Sequence, residues 1–254
     1  MKTIKFFALT MCCCLFAFNM QSQEESRYQR YLIHMDPVKP SMQGEYEKTA
    51  AKFVKMCKDN DYDQDWMTLT TENNEYHYIS ALNSFSELDE NPMASLRDKV
   101  GAEEFGKVFK EFDKCYEKHT DYILSLDKEL SYMPDGMKTI IEGENYRENT
   151  KYYFAPADMD KAVEVAKAFK KFYSDNNMGM HYRLYRSGLG TDGTYFLVAV
   201  AAKDAMDMER KSEEARKAMG SKAEELFGNL NKILLKTETI RGWMRPELSY
   251  VASK

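Results

Sequence analysis

The 254-residue chain carries 36 basic and 41 acidic side chains, a net charge of −5. An acidic chain without a basic cluster lacks the phosphate-neutralising surface that nucleic-acid binding requires. Hydrophobic residues make up 43% and charged residues 30%, a globular balance, and five cysteines, three of them adjacent at Cys12 to Cys14, make no disulfide scaffold.

Lys2 and Lys5 precede an apolar run from Phe6 to Phe18, and polar residues follow from Asn19. This is the order of a signal peptide. The run is shorter than the roughly 20 apolar residues a membrane-spanning helix needs. The sequence therefore predicts a signal peptide over residues 1–22, export to the periplasm or the extracellular space, and no stable membrane insertion after its removal. Met11 stands before Cys12 where lipoprotein signals carry a small residue, and lipid attachment stays open.

Downstream, Tyr31 to Met35 reads as a strand ending at Pro37. Residues 42–58 place Tyr46, Ala50, Phe53 and Cys57 at helical spacing. Trp66 to Thr70 and Tyr76 to Leu82 read as a strand pair around the Asn73-Asn74 turn. Phe105, Val108, Phe109, Phe112, Tyr116 and His119 fall on one helical stripe, and a strand near Leu130 to Met133 closes the half. Residues 136–150 read as a linker. The same order then returns: a strand at Tyr152 to Ala155, a helix over 158–174, and a hairpin of Met180 to Arg186 with Tyr195 to Ala201. A helix over 204–238, broken at Gly220, and a strand at Trp243 to Val251 complete it. Residues 24–135 and 151–254 are thus two βαββαβ units.

Short matches tie the halves together. Glu129-Leu130-Ser131-Tyr132 recurs as Glu247-Leu248-Ser249-Tyr250, an offset of 247 − 129 = 118. Tyr76 matches Tyr195, and Pro37 matches Pro156, both at 195 − 76 = 119. Ala50, Phe53, Asp59 and Asn60 match Ala166, Phe169, Asp175 and Asn176 at 166 − 50 = 116. Gly101 matches Gly220. A repeat is read before any single element. The run from Tyr195 to Ala201 is apolar on both faces, so helices on one side leave the other side needing a cover. Element order and repeat together resemble the dimeric α+β-barrel superfamily, over about residues 30–252. The resemblance implies an α+β fold in which two ferredoxin-like units, fused in one exported chain, pack sheet to sheet as a pseudo-dimer. It also implies a ligand cavity between the sheets.

The chemical signals are few. Gly188-Leu189-Gly190-Thr191-Asp192-Gly193 has the letters of a dinucleotide loop, but that loop needs a helix N-terminus after it. A strand follows, so the segment reads as a glycine-rich hairpin loop. His34, His77, His119 and His181 show no metal-ligand spacing. His34, His77 and His119 read as packing or surface residues, and neither metal nor cofactor is expected. Ser131 and Ser249 have no His/Asp set in sequence reach, so no catalytic residue is assigned. Cys57 and Cys115 are expected to be free, buried thiols.

From Met180 to Tyr185, alternation sends Met180, Tyr182 and Leu184 under the helices and His181, Arg183 and Tyr185 into the inter-sheet space. At an offset of 185 − 66 = 119, Trp66 matches Tyr185. Trp66, His181, Arg183 and Tyr185 are therefore the ligand candidates. An imidazole, a guanidinium and aromatic rings suit an anionic or aromatic small molecule, although the same pattern suits a solvated edge strand. The leading expectation is a non-catalytic protein of the cell envelope, a monomer or homodimer, that binds a small molecule or an envelope protein. The alternative is a cofactor-independent, monooxygenase-like enzyme using the cavity between the two sheets. A haem-handling relative would need an axial ligand, and His181 is placed on a strand.

Overall fold

The computed structural model describes residues 26–252. The expected signal peptide lies outside them. Among the described residues no helix is long and apolar enough to cross a membrane.

The first half runs β1 (Tyr28–Pro37), α1 (Gln43–Asp59), β2 (Met67–Thr71), β3 (Glu75–Leu82), α2 (Ala94–Val100), α3 (Ala102–Phe112) and β4 (Thr120–Asp127). The second runs β5 (Tyr146–Phe154), α4 (Met159–Asp175), β6 (Tyr182–Ser187), β7 (Tyr195–Ala202), α5 (Ala205–Met219), α6 (Lys222–Asn231) and β8 (Leu234–Met244). The eight strands of the described residues form one closed barrel in the order β1-β3-β2-β8-β5-β7-β6-β4, and every pairing is antiparallel. The expected sheet-to-sheet stack is thus a barrel whose halves are hydrogen-bonded at both edges. Leu69 pairs with Met244 at one seam, and Ser125 with Arg186 at the other.

Strand alternation sorts the side chains. On β7, Tyr195, Leu197 and Ala199 join the barrel interior, while Phe196, Val198 and Val200 pack beneath the helices. Both faces of this strand are covered, as its double-sided apolar pattern requires. Helix α1 buries Tyr46, Ala50, Phe53 and Cys57, the stripe its spacing predicts. A large apolar side chain such as Phe53 contributes about 1.5–3 kcal/mol of burial. Gly101 and Gly220 both sit at helix breaks with positive φ. Cys57 and Cys115 are free and buried, and burial pushes the Cys57 thiol up to about 12.

Three boundaries differ from the sequence reading. Helix α3 ends at Phe112, because the Cys115 amide turns back onto the Phe112 carbonyl and its own carbonyl accepts from Lys39. His119 therefore leaves the helical stripe for the approach to β4. Strand β8 begins at Leu234, where a helix was expected, and runs along β5 from Phe154 to Tyr146. The linker expected over 136–150 ends early, since β5 starts at Tyr146.

The recurring Glu-Leu-Ser-Tyr segments are not strands either. Each follows its half's last strand as a short latch. Tyr132 bridges Tyr182, and Tyr250 bridges Trp66, so each latch fastens onto the opposite half. Ser131 Oγ accepts from the Leu184 amide (2.9 Å) and donates to the Asp127 carbonyl (2.7 Å). Ser249 Oγ accepts from the Thr68 amide (2.9 Å) and donates to the Arg245 carbonyl (2.8 Å). The identical pattern satisfies buried backbone groups that would otherwise cost stability.

Candidate functional site

Two cavities lie on opposite faces of the first-half sheet. The barrel interior, expected to hold the ligand, is nearly filled: Tyr31, Ile33, Leu124, Tyr185, Tyr195 and Leu197 pack across it and leave about 80 Å³. Arg183 and Tyr185 line this space, as alternation predicts. The other two candidates are elsewhere. His181 precedes β6 and lies against the Tyr132 ring, 5.6 Å away, because pleating begins only at Tyr182. Trp66 points to the helix layer, stacked on Phe53 at 5.7 Å, with its Nε1 donating to the Leu248 carbonyl (2.9 Å).

The cause of the Trp66 error is a loop. The β2–β3 turn spans residues 72–74 and the β6–β7 loop spans 188–194, a difference of 7 − 3 = 4 residues. Before the loop the true offset is 116, which matches Trp66 to Tyr182, the residues that receive the two latches. After it the offset is 120. The assumed 119 is odd where the true value is even, and an odd slip moves a strand residue to the opposite face. The same shift replaces the Pro37–Pro156 match with Pro40–Pro156, both of which open a short turn before a helix.

The glycine-rich segment 188–193 carries no nucleotide site. It lies along β4, with the Ile123 amide donating to the Leu189 carbonyl (2.8 Å). A Cβ at Gly190 would stand 2.5 Å from the Asp121 carbonyl oxygen, at a φ of +79°. Glycine is there for close approach to β4.

The larger cavity, about 430 Å³, lies between the first-half sheet and its helices. Its walls are largely aromatic, with Phe53, Trp66, Phe109, Phe112 and Tyr116, and Glu87, Leu88 and Met93 stand near its rim. His34 and Asp36 line it as part of one polar cluster. On β1, alternation places His34 and Asp36 on the helix side. Across the β1–β4 ladder, where Met35 pairs with Thr120, His119 and Asp121 fall on that same face. His34 Nδ1 is 2.8 Å from Asp121 Oδ1, and His34 Nε2 is 3.1 Å from Asp36 Oδ1. Asp36 is 3% exposed. Tyr46 donates to its Oδ2 at 2.6 Å, and Tyr46 Oη lies 2.9 Å from Tyr78 Oη. Asp36 Oδ1 makes no hydrogen bond of normal geometry, because the His34 contact has the distance without the angle.

Electrostatics follow from this arrangement. Burial works to lower the His34 pKa, but the Asp36 and Asp121 carboxylates outweigh it and raise it to about 9. Burial and the neighbouring Asp36 keep the Tyr46 and Tyr78 phenols protonated far above their ordinary range. His34, Asp36 and His119 each bring one ligand atom within 4.8 Å of the others. Two imidazoles and one carboxylate are a donor set that suits a divalent transition ion. Asp121 holds His34 from behind, in the manner of a carboxylate that orients a liganding histidine. Sequence reading passes over this group because His119 continues a helical stripe there. The i, i+2 spacing of His34 and Asp36 on β1 was the available signal. The matching space in the second half, about 130 Å³, is lined by Tyr152, Phe154, Phe169, Tyr173 and Tyr182 among others, and no charged side chain lines it.

No protein-family model matches the chain, and no curated protein matches it. Solved structures do. An anthrone oxidase-like protein superposes with a TM-score of 0.58 at 12% identity, over 87% of this chain and 92% of that one. A candidate monooxygenase from Lactobacillus acidophilus NCFM gives 0.52 at 9% identity, over 90% and 100%. Another, from Fusobacterium nucleatum subsp. nucleatum, gives 0.53 at 10%, over 85% and 92%. At these identities the likeness establishes the α+β-barrel fold. The matching structures are described as oxidase-like and monooxygenase proteins, which runs against the expectation of a non-catalytic binding protein.

Proposed function

We propose that the chain is an exported oxidase- or monooxygenase-type enzyme, built from two copies of a ferredoxin-like unit, that acts on a small aromatic molecule. The site moves from the inter-sheet space of the sequence reading to the aromatic cavity beside β1. One observation carries this: Asp36, a buried carboxylate, lines a cavity of substrate size, and its Oδ1 has the His34 ion-pair contact at 3.1 Å but no hydrogen bond of good geometry. A buried acceptor with that capacity left over is a place for a ligand to donate.

Asp36 is placed to take a proton from an aromatic hydroxyl, or from a methylene activated by a neighbouring carbonyl. The resulting anion is electron-rich and is held beside the His34 imidazole. Dioxygen accepts its electrons and adds at the carbon. Loss of water then leaves a carbonyl, so that one methylene group and one dioxygen molecule become one carbonyl group and one water molecule. Tyr46 and Tyr78, as neutral phenols, keep Asp36 oriented, and the aromatic walls exclude water. Arg183 and Tyr185, on the other face of the sheet, take no part in this chemistry. Small aromatic ligands fit the cavity better than an envelope protein does.

The test is oxygen uptake with anthrones, naphthols and hydroquinones. Asp36→Asn should lower kcat by about 10²–10⁴-fold, the usual contribution of a positioned acid–base group, with the fold intact by circular dichroism. No uptake with any of these compounds, or an unaffected Asp36→Asn variant, would refute the assignment. A second reading rests on the His34, Asp36 and His119 donor set: a divalent ion bound there would supply Lewis-acid or redox chemistry to the same cavity. Elemental analysis of protein prepared without chelator, with His119→Ala alongside, separates the two. Stoichiometric metal lost in His119→Ala favours the ion.

A further inference from the structure

Arg147 and Arg183 are each only 3% exposed, and both line the space inside the barrel. Arg147 is on β5 and pairs with Ala201, and Arg183 is on β6 and pairs with Ala199. The two guanidiniums therefore flank β7 from either side, and the small side chains between them leave the space open. Both reach the same carbonyl. Arg183 Nη1 donates to Thr139 O at 2.6 Å and to Lys138 O at 2.8 Å, and Arg147 Nη2 donates to Thr139 O at 3.2 Å. Arg147 Nη1 also donates to the Tyr146 carbonyl at 3.0 Å and to that of Glu144.

Among the described residues no carboxylate forms an ion pair with either arginine. Neutral carbonyls satisfy donors but do not cancel charge. Two like charges taken out of water are costly, several kcal/mol for each ion, and Glu144, the carboxylate that acts on Arg147, is itself paired with Lys211 at 2.6 Å. Burial and the neighbouring Arg183 pull the Arg147 pKa down to about 10. One edge of Arg183 is also unused. Its Nε is buried without a partner, and its carbonyl bonds are all made through Nη1. The Nε–Nη2 edge of a guanidinium is the fork that grips an anion with two parallel hydrogen bonds.

We infer that this end of the barrel binds one small anion, an inorganic oxyanion, a halide or formate, between Arg183 and Arg147 beneath the segment that carries Thr139. The space of about 80 Å³ admits a single such ion and excludes an aromatic substrate. Asn149 and Tyr185 also line it and bring further polar groups. The site is separate from the aromatic cavity, because Arg147 and Arg183 project to the opposite side of the barrel wall. A bound anion would fix the 137–145 segment across the barrel mouth.

The experiment measures thermal stability of the full chain, purified with a bulky sulfonate as the main anion, while nitrate, bromide or formate is titrated in at constant ionic strength. A saturable rise in Tm is expected. In Arg183→Lys, which keeps the charge but loses the fork, half-saturation should shift upward by about tenfold. Crystals grown in bromide should show one anomalous peak between the two guanidiniums. A flat response in the wild type, an unchanged titration in Arg183→Lys, or a bromide crystal without that peak would overturn the site. The bromide crystal uses the wild type alone, so a variant that fails to fold leaves a decisive measurement. No readout involves turnover, so failure here is distinct from failure of the oxidase assignment.

Discussion

Asp127 closes one seam of the barrel with a single carboxylate. It is fully buried, and Arg27 binds it through Nε at 3.1 Å and Nη2 at 2.8 Å. Arg186, from the other half, donates through Nε at 2.9 Å, and the Glu129 and Leu130 amides cap it at 3.1 and 3.2 Å. Burial would raise its pKa, but the two guanidiniums outweigh it and hold the group below its ordinary range. A depressed folded-state pKa stabilises fully above the unfolded value of about 3.9 and is lost as pH falls through the folded value. Asp127→Asn should therefore cost about 3 kcal/mol in urea unfolding at neutral pH, and the gap to wild type should close in acid. A gap that stays open in acid once Asp127 has taken up its proton in the wild type would mean that packing, not charge, holds the seam. At this scale the sequence was partly legible. Alternation placed Arg183 and Tyr185 inside the barrel, and the apolar settings of Cys57 and Cys115 found two buried thiols. The cluster of His34, Asp36, His119 and Asp121 was not legible, because it depends on which strand lies beside β1.

Elements were more legible than their ends. Periodicity located α1, α4 and the central hairpins, and it noticed the break at Gly220. It failed where a segment is both apolar and alternating but too short to pleat, as in the two latches. There the repeated serine carries the explanation, since each hydroxyl accepts from one buried amide and donates to one carbonyl. Ser131→Ala and Ser249→Ala should each lose about 1–3 kcal/mol, the cost of leaving a buried amide unpaired. The two losses should add in the double variant, since distant sites act independently. Urea titrations of the three variants decide it, and a silent Ser249→Ala would show that the second latch is ornamental. Gly242 is a different local constraint. Its Cβ would strike the Thr70 carbonyl at the β2–β8 seam, so glycine there permits the two edges to approach. Nothing in a single sequence distinguishes such a glycine from a weak point in a strand.

At the scale of the whole molecule, the repeat announced two similar halves but not how they meet. Two stacked sheets would each keep two free edges, whereas the observed barrel uses every edge. β2 takes β8 and β4 takes β6, which removes the exposed strands that invite aggregation. The latches add a second exchange, Tyr132 to Tyr182 and Tyr250 to Trp66. A half expressed alone would lose both seams and a latch. It would also bare Tyr195, Leu197 and Ala199 on its inner face, a contiguous apolar patch. Residues 144–254 alone should therefore self-associate or aggregate, and should form a 1:1 complex when refolded with residues 26–135. Light scattering with size-exclusion chromatography reads the outcome. A soluble, well-folded monomer of 144–254 without affinity for the other half would show that each half completes its own core. The barrel interior, with the anion site inside it, would then lose its basis, while the aromatic cavity beside β1, built largely from first-half residues, would keep its own.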